Sequence, residues 1–117
     1  MKRKFRLIKS TDFKRVRRLG KSYAHPFLVL IKLPNTLNKT RIGVSAGRSI
    51  GNAVRRNKAK RKIREIIRPI LTEIQPGWDI ILLARKPILT ANHQEIISAM
   101  NDTLLRSDLI GKNDTKE

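Results

Sequence analysis

Hydrophobic positions along the chain recur with two periods, and the changes between them delimit the elements. Residues 1–9 read as a basic arm in which only Phe5, Leu7 and Ile8 can pack. A short helix follows, with Ser10 or Thr11 as its N-cap, Asp12 in its first turn, Phe13 and Val16 inward, and Gly20 as its end. Ser22–Ala24 is a candidate short strand. The β-branched and apolar run Phe27–Leu33 predicts a central strand, closed by turn signals at Pro34-Asn35 and Asn38-Lys39. Arg41–Gly47 alternates: Ile42, Val44 and Ala46 point to the core, while Arg41, Gly43, Ser45 and Gly47 form a small-residue face that admits a packed helix, a ligand or both. The period then changes to that of a helix over Asn52–Arg68. Pro76-Gly77 makes a turn, Trp78–Arg85 is a strand containing Ile80-Ile81-Leu82-Leu83-Ala84, and Pro87 stops it. Asn92 with Glu95 matches a capping box opening an amphipathic helix through Ile96, Ile97, Met100, Leu104 and Leu105.

The order α-β-β-β-α-β-α predicts a single α+β domain over residues 1–106, with a polar, disordered tail over 107–117. No internal repeat, linker or low-complexity tract interrupts it. At 117 residues the chain is long enough for one compact domain, and with five aromatics its core must come from Ile, Leu and Val.

Charge changes the picture more than composition does. Lys and Arg number 27 against nine Asp and Glu, a formal net charge of +18, and 19 of the 27 lie in residues 1–21 and 48–68. From Pro69 onward five basic residues face seven acidic ones. Charge concentrated in two places points to a polyanionic partner, nucleic acid first. Membrane attachment finds no support: no apolar run approaches a transmembrane length, and the N-terminus lacks the hydrophobic segment of a signal peptide. The absence of cysteine fits a cytoplasmic protein. Nothing in the sequence indicates a protein oligomer.

Within Asn52–Arg68, residues placed about 100° apart put Ala59, Ile63, Ile66, Ile67 and Ile70 on one side. Asn57, Arg61, Arg64 and Arg68 form a stripe on the other, flanked by Lys58 and Lys60, at spacings of four, three and four. Like charges on adjacent turns cost roughly 0.2–0.5 kcal/mol per pair. A bound polyanion removes that cost and releases counterions. Arg56 and Lys62 fall toward the apolar side, and Pro69 predicts a bend or end at Arg68. The helix start, with Arg48 beside its amides, suits a phosphate. It is not a P-loop, because three residues rather than four separate Gly47 and Gly51, and Asn52-Ala53 follow.

Catalysis by the protein alone is not indicated. Asp12, Glu65, Glu73 and Asp79 are scattered, whereas two-metal nucleases need clustered carboxylates. His25 and His93 each stand without a partner at metal-ligand spacing, so no cofactor or metal is expected on the protein. A ribosomal or general RNA-binding protein and, more remotely, a stand-alone metal-dependent nuclease share the charge and size.

The run Arg41-Ile42-Gly43-Val44-Ser45, followed by GNAVRRNKAKRKIRE from Gly51 to Glu65, resembles the signature of the protein subunits of bacterial ribonuclease P. Asp12-Phe13, the strand after Pro26, and Asp79–Pro87 extend the likeness in order over nearly the whole chain. The resemblance implies an α/β sandwich with a left-handed β-α-β crossover. It also implies a protein without catalytic residues that assists a catalytic RNA in removing the 5′ leader from precursor tRNA, with Mg2+ serving the RNA. Carried over by motif, Arg48, Asn52, Arg56, Asn57, Lys60, Arg61 and Arg64 are expected to bind the catalytic RNA. Phe13, Arg17, Phe27, Gly43 and Ser45 are expected to line a cleft for the leader. Where some family members carry a second aromatic one turn after Phe13, this chain has Arg17, which implies more charge and less stacking, with Tyr23 as a candidate substitute.

Overall fold

The structure, a computed structural model, describes residues 5–7 and 9–111. The elements are α1 (Ser10–Leu19), β1 (Lys21–Ala24), β2 (Leu28–Pro34), β3 (Arg41–Ala46), α2 (Ala53–Ile67), β4 (Trp78–Ala84) and α3 (His93–Arg106), in the order the hydrophobic periods predict. Short 3-10 turns cover Arg48–Ile50, Arg68–Glu73 and Lys86–Leu89. The four strands form one mixed sheet in the order β1-β2-β4-β3. β2 runs antiparallel to both β1 and β4, while β3 and β4 are parallel neighbours joined through α2.

The two faces of the sheet are unequal. Leu28, Leu30, Ile42, Val44, Ile80 and Leu82 pack with Ala59, Ile63 and Ile67 of α2 and Ile96, Met100 and Leu104 of α3 into the larger core. On the other face Ile31 and Ile81 meet Leu7 and Val16, with Phe13, Val29, Leu33 and Leu83 half-buried around them. β4 therefore has apolar neighbours on both sides, which is why its sequence is a continuous apolar run instead of an alternation. The free edge of β3 is covered by the N-terminal arm: Arg6 bridges Ile42 in parallel, and Leu7 N donates to Ile42 O at 2.9 Å. Such cover removes an unpaired strand edge from solvent. Ile8, expected to pack with the arm, lies outside the described residues.

Both occupants foreseen for the small-residue face of β3 have room. A Cβ on Gly43 would collide with the Phe13 ring, so α1 packs there because position 43 has no side chain. Ser45, two residues on, stays half-exposed.

Three expectations are corrected. Neither Ser10 nor Thr11 caps α1: Lys9 holds the N-cap position without a side-chain cap hydrogen bond, and Ser10 is already helical. Leu105, expected on the inner side of the last helix, is exposed, and Ala99 and Thr103 are buried in that helix instead. Order also continues beyond 106. Ser107 and Leu109 are fully buried, Gln75 N donates to Leu109 O at 2.8 Å, and Lys32 Nζ donates to Ser107 O. Leu109-Ile110 is an isolated apolar pair in a polar stretch, too short for a periodicity to mark it. The rest of the expected tail, 112–117, lies outside the described residues.

One charged cluster ties these layers together. The Asp79 side chain, at the start of β4, has no solvent exposure. Arg41 grips it with two bonds, Nε–Oδ1 at 2.9 Å and Nη2–Oδ2 at 2.8 Å. Arg15 of α1 adds Nη2–Oδ2 at 2.6 Å, and Asn35 of the β2–β3 turn adds Nδ2–Oδ1 at 2.9 Å. Asp12 completes the set, 3.1 Å from Arg15 and 3.7 Å from Arg41, so two carboxylates balance two guanidiniums. Burial pushes the Asp79 carboxyl up, but the hydrogen bonds from Arg41 and Asn35 and the charges of Arg41 and Arg15 together outweigh it. Its pKa therefore lies below the ordinary value.

Replacing Asp79 with Ala leaves two guanidiniums facing each other without their shared anion and is expected to cost about 3–5 kcal/mol in denaturant unfolding. Because the folded-state pKa is depressed, the carboxylate's contribution is complete above its unfolded value and lost as pH falls through the folded one. Wild type should accordingly lose stability relative to Asp79→Asn as pH drops below about 4. Parallel pH profiles for the two proteins would contradict the assignment.

Candidate nucleic-acid interface

The helix α2 begins where Asn52, in extended conformation, accepts the Arg55 amide on Oδ1 at 3.0 Å. Gly51 precedes it at φ 130, a left-handed conformation suited to glycine, and a Cβ there would also crowd the Arg55 side chain. The 3-10 turn before it bonds Ile50 N to Gly47 O and Gly51 N to Arg48 O. The amides of Ile50, Gly51, Arg55 and Arg56 are therefore already occupied within the protein, and the side chain of Arg48, just before the helix, is exposed. Asn52 is exposed too, but its Oδ1 has a structural task that no RNA contact requires.

Along α2, Ala59, Ile63, Ile66 and Ile67 are buried against the sheet and α3, as the periodicity requires. Asn57 and Arg61 are exposed, Lys60 and Arg64 half-exposed, and Arg56 half-buried toward the apolar side. α2 ends at Ile67, and the chain tightens into the 3-10 turn that contains Pro69, leaving Arg68 exposed beyond the helix. Lys62, which falls toward the apolar side of the wheel, has a specific reason to be there. Its Nζ donates to the carbonyls of Ile88, Leu89 and Ala91, each at 3.2 Å, and binds the turn after β4 to α2. Burial, and secondarily the neighbouring charge of Lys58, lowers its pKa from the ordinary lysine value.

On the α1 face a cleft of about 450 Å3 opens at the C-terminal ends of β3 and β4. Arg17, Ser45, Ser49, Arg85 and Lys86 surround an apolar floor of Val29 and Leu83. Arg17 and Ser45 are thus brought together as expected of a cleft. Phe13 and Gly43 sit apart from them in a smaller hollow at the β3 edge, which they share with Arg6 and Arg64. Phe27 is elsewhere again: its ring packs against the larger core and lies 5.2 Å from that of His25. Phe27 precedes β2, so strand alternation could not fix its direction. Tyr23 pairs with Leu30 and packs on the α2/α3 side of the sheet, opposite α1, so it is no substitute for an aromatic at position 17.

Arg85 and Lys86 received no role from sequence. Their signal is that two cations directly follow the strand that runs parallel to β3, so that both strands end at the same rim. Among the described residues no group of three or more His, Cys, Asp or Glu could hold a metal ion, and no helix is long and apolar enough to cross a membrane.

The family model for ribonuclease P matches residues 1–108. The chain belongs to the ribonuclease P protein family. It is 39% identical over 109 residues to the ribonuclease P protein component of Herpetosiphon aurantiacus, covering 93% of this chain and 89% of that one. With that of Clostridioides difficile it is 35% identical, covering 88% and 91%. Its fold matches the solved Staphylococcus aureus RNase P protein with a TM-score of 0.81 at 31% identity, covering 92% of this chain and 98% of that one. For the Thermotoga maritima RNase P protein the TM-score is 0.77 at 30% identity, covering 86% and 96%. As a member of the family, the chain is the non-catalytic protein subunit of a ribonucleoprotein that acts with a catalytic RNA on precursor tRNA.

The cap geometry gives a way to separate folding from RNA contact at position 52. Asn52→Ala is expected to lower stability by about 1 kcal/mol through loss of the cap, whereas Asn52→Ser should retain most of it. Thermal unfolding of both variants without RNA checks this, and equal stability of the alanine variant and wild type would show that the cap contributes nothing.

Proposed function

We propose that the two basic regions of this subunit divide the work: the exposed stripe of α2 docks on the catalytic RNA, and the cleft beside α1 holds the single-stranded 5′ leader of precursor tRNA. The observation that carries this reading is their placement on opposite faces of one sheet. Asn57, Lys60 and Arg61 project from the helix covering the larger core, and Arg64 of the same helix reaches the β3 edge, where it meets the hollow of Phe13 and Gly43. Arg17, Ser45 and Lys86 instead ring the apolar floor on the α1 side. A convex row of cations suits a structured RNA backbone, whereas a groove with cationic rims and an apolar floor suits unstacked bases.

Arg48 and Arg56 flank the stripe and join it in contacting the catalytic RNA, with Asn52 setting the helix start. Phe13 and Gly43 act on the leader side by seating α1, and Phe27 by supporting the strand end behind the cleft. The Mg2+ that cleavage needs is assigned to the RNA, and the site of action is the cytoplasm. Arg17, where an aromatic could stack, makes leader binding here depend on charge.

Mixed with its catalytic RNA, the protein should raise precursor-tRNA cleavage at low magnesium and cleave nothing alone; no stimulation would sink the proposal. Replacing Arg61 and Arg64 with Ala should weaken binding to the catalytic RNA and flatten its salt dependence, each lost phosphate contact removing about 0.7–0.9 from the log–log slope. Arg17→Ala should instead reduce the preference for precursor over mature tRNA. Both changes acting equally on both ligands would refute the division.

A further inference from the structure

Arg85 and Lys86 bring cations to the cleft from the end of β4, but the sheet holds only the first of them. Arg85 N donates to Phe27 O at 3.0 Å, whereas Lys86 and Pro87 begin the 3-10 turn, outside the strand ladder. Between that turn and α2 lies a pocket of about 700 Å3, lined by Lys86, Pro87, Leu89 and Thr90 from the one and by Arg55 and Lys58 from the other. Open space of that size leaves the outer part of the turn without packing to hold it. Ile88, fully buried in the larger core, pins the middle of the turn, but one buried side chain fixes a point about which the rest is free to rock. Lys62 supplies the second anchor. Its ammonium reaches from α2 to the carbonyls of Ile88, Leu89 and Ala91, each at 3.2 Å, so three donors meet three acceptors and a span of chain is fixed instead of a point. A cation on the carbonyls that close a helical turn is also favourably placed.

We propose that Lys62 is a positioning residue for precursor recognition: touching no RNA itself, it acts as a strut that holds Lys86 on the rim of the cleft that Arg17 also lines. The assignment rests on the leader-cleft reading. Both cationic contributors then depend on a charged tie at a distance, Arg17 through the Asp79 cluster that clamps α1 and Lys86 through Lys62. A rim that is already in place loses little freedom when RNA binds, whereas a loose turn must be ordered by the RNA, and that cost is subtracted from affinity. Only a substrate with a leader bears it, because mature tRNA leaves the cleft empty. Docking on the catalytic RNA is spared, since α2 is seated by Ala59, Ile63, Ile66 and Ile67 whether or not Lys62 makes its bonds.

The test compares the affinities of precursor and mature tRNA for the reconstituted holoenzyme. Lys62→Met keeps the apolar stem and removes the ammonium, and Lys62→Gln serves if the methionine variant does not fold. Either should lower the preference for precursor over mature tRNA by about two- to tenfold, the range for ordering one side chain on binding, with binding of mature tRNA and of the catalytic RNA unchanged. In a Lys86→Ala background the same replacement should have no further effect, because its target is gone. Losses that multiply in the double variant would mean that Lys62 acts independently of Lys86 and would overturn the proposal. So would an unchanged preference, a loss shared equally by mature tRNA and the catalytic RNA, or failure of both variants to fold, which would make the lysine a general stabiliser. Arg17→Ala and Lys86→Ala are the controls. If neither lowers the preference, the cleft reading fails and the role of Lys62 with it; if Arg17→Ala lowers it while the Lys62 variants do not, only the role of Lys62 is overturned.

Discussion

Burying the Asp79 carboxylate at the start of β4 obliges three other parts of the chain to converge on it. An isolated charge without solvent would be prohibitive, so it persists only with the fork of Arg41 on the adjacent strand, the guanidinium of Arg15 from α1 and the amide of Asn35 from the β2–β3 turn. That convergence places α1 across the sheet on a face with a small apolar cluster of its own, Leu7, Val16, Ile31 and Ile81. Ionic clamping and modest burial together hold a helix that carries four basic residues among ten. The cleft exists because α1, held in this way, stops short of covering Ser45 and Leu83.

The opposite face is organised mainly by burial. α2 sinks Ala59, Ile63, Ile66 and Ile67 into the larger core, and every cation on it must then point elsewhere. The stripe of Asn57, Arg61 and Arg64 lies opposite the buried side, with Arg55 and Lys58 displaced from it around the helix. Lys62 falls toward the apolar side and ties the post-β4 turn to the helix through carbonyls. The turn it anchors carries Lys86 and Pro87, which line both the cleft beside α1 and the pocket between that turn and α2. A structural lysine on α2 thereby helps set the position of Lys86 on the rim of the cleft.

The sequence by itself determined the element order, the inner side of α2, the capping box at Asn92 and the family. Each of these depends on neighbours within a few residues or on a contiguous motif, where period and spacing are direct readouts of geometry. The small-residue face of β3 was also legible as a place of close approach, though not which partner would come; Phe13 takes Gly43, and Ser45 stays open. What only the tertiary structure decided were pairings across long stretches of chain: Asp79 with Arg15, 64 positions apart, Lys62 with the turn after β4, and Leu109 with the core. The separation of Phe13 and Phe27 from the cleft, and of Tyr23 to the far side, belongs here too, because a residue's side of the sheet follows from strand register and from which helix covers it. Local periodicity fixes which residues share a face; it carries no information about what the rest of the chain brings to that face.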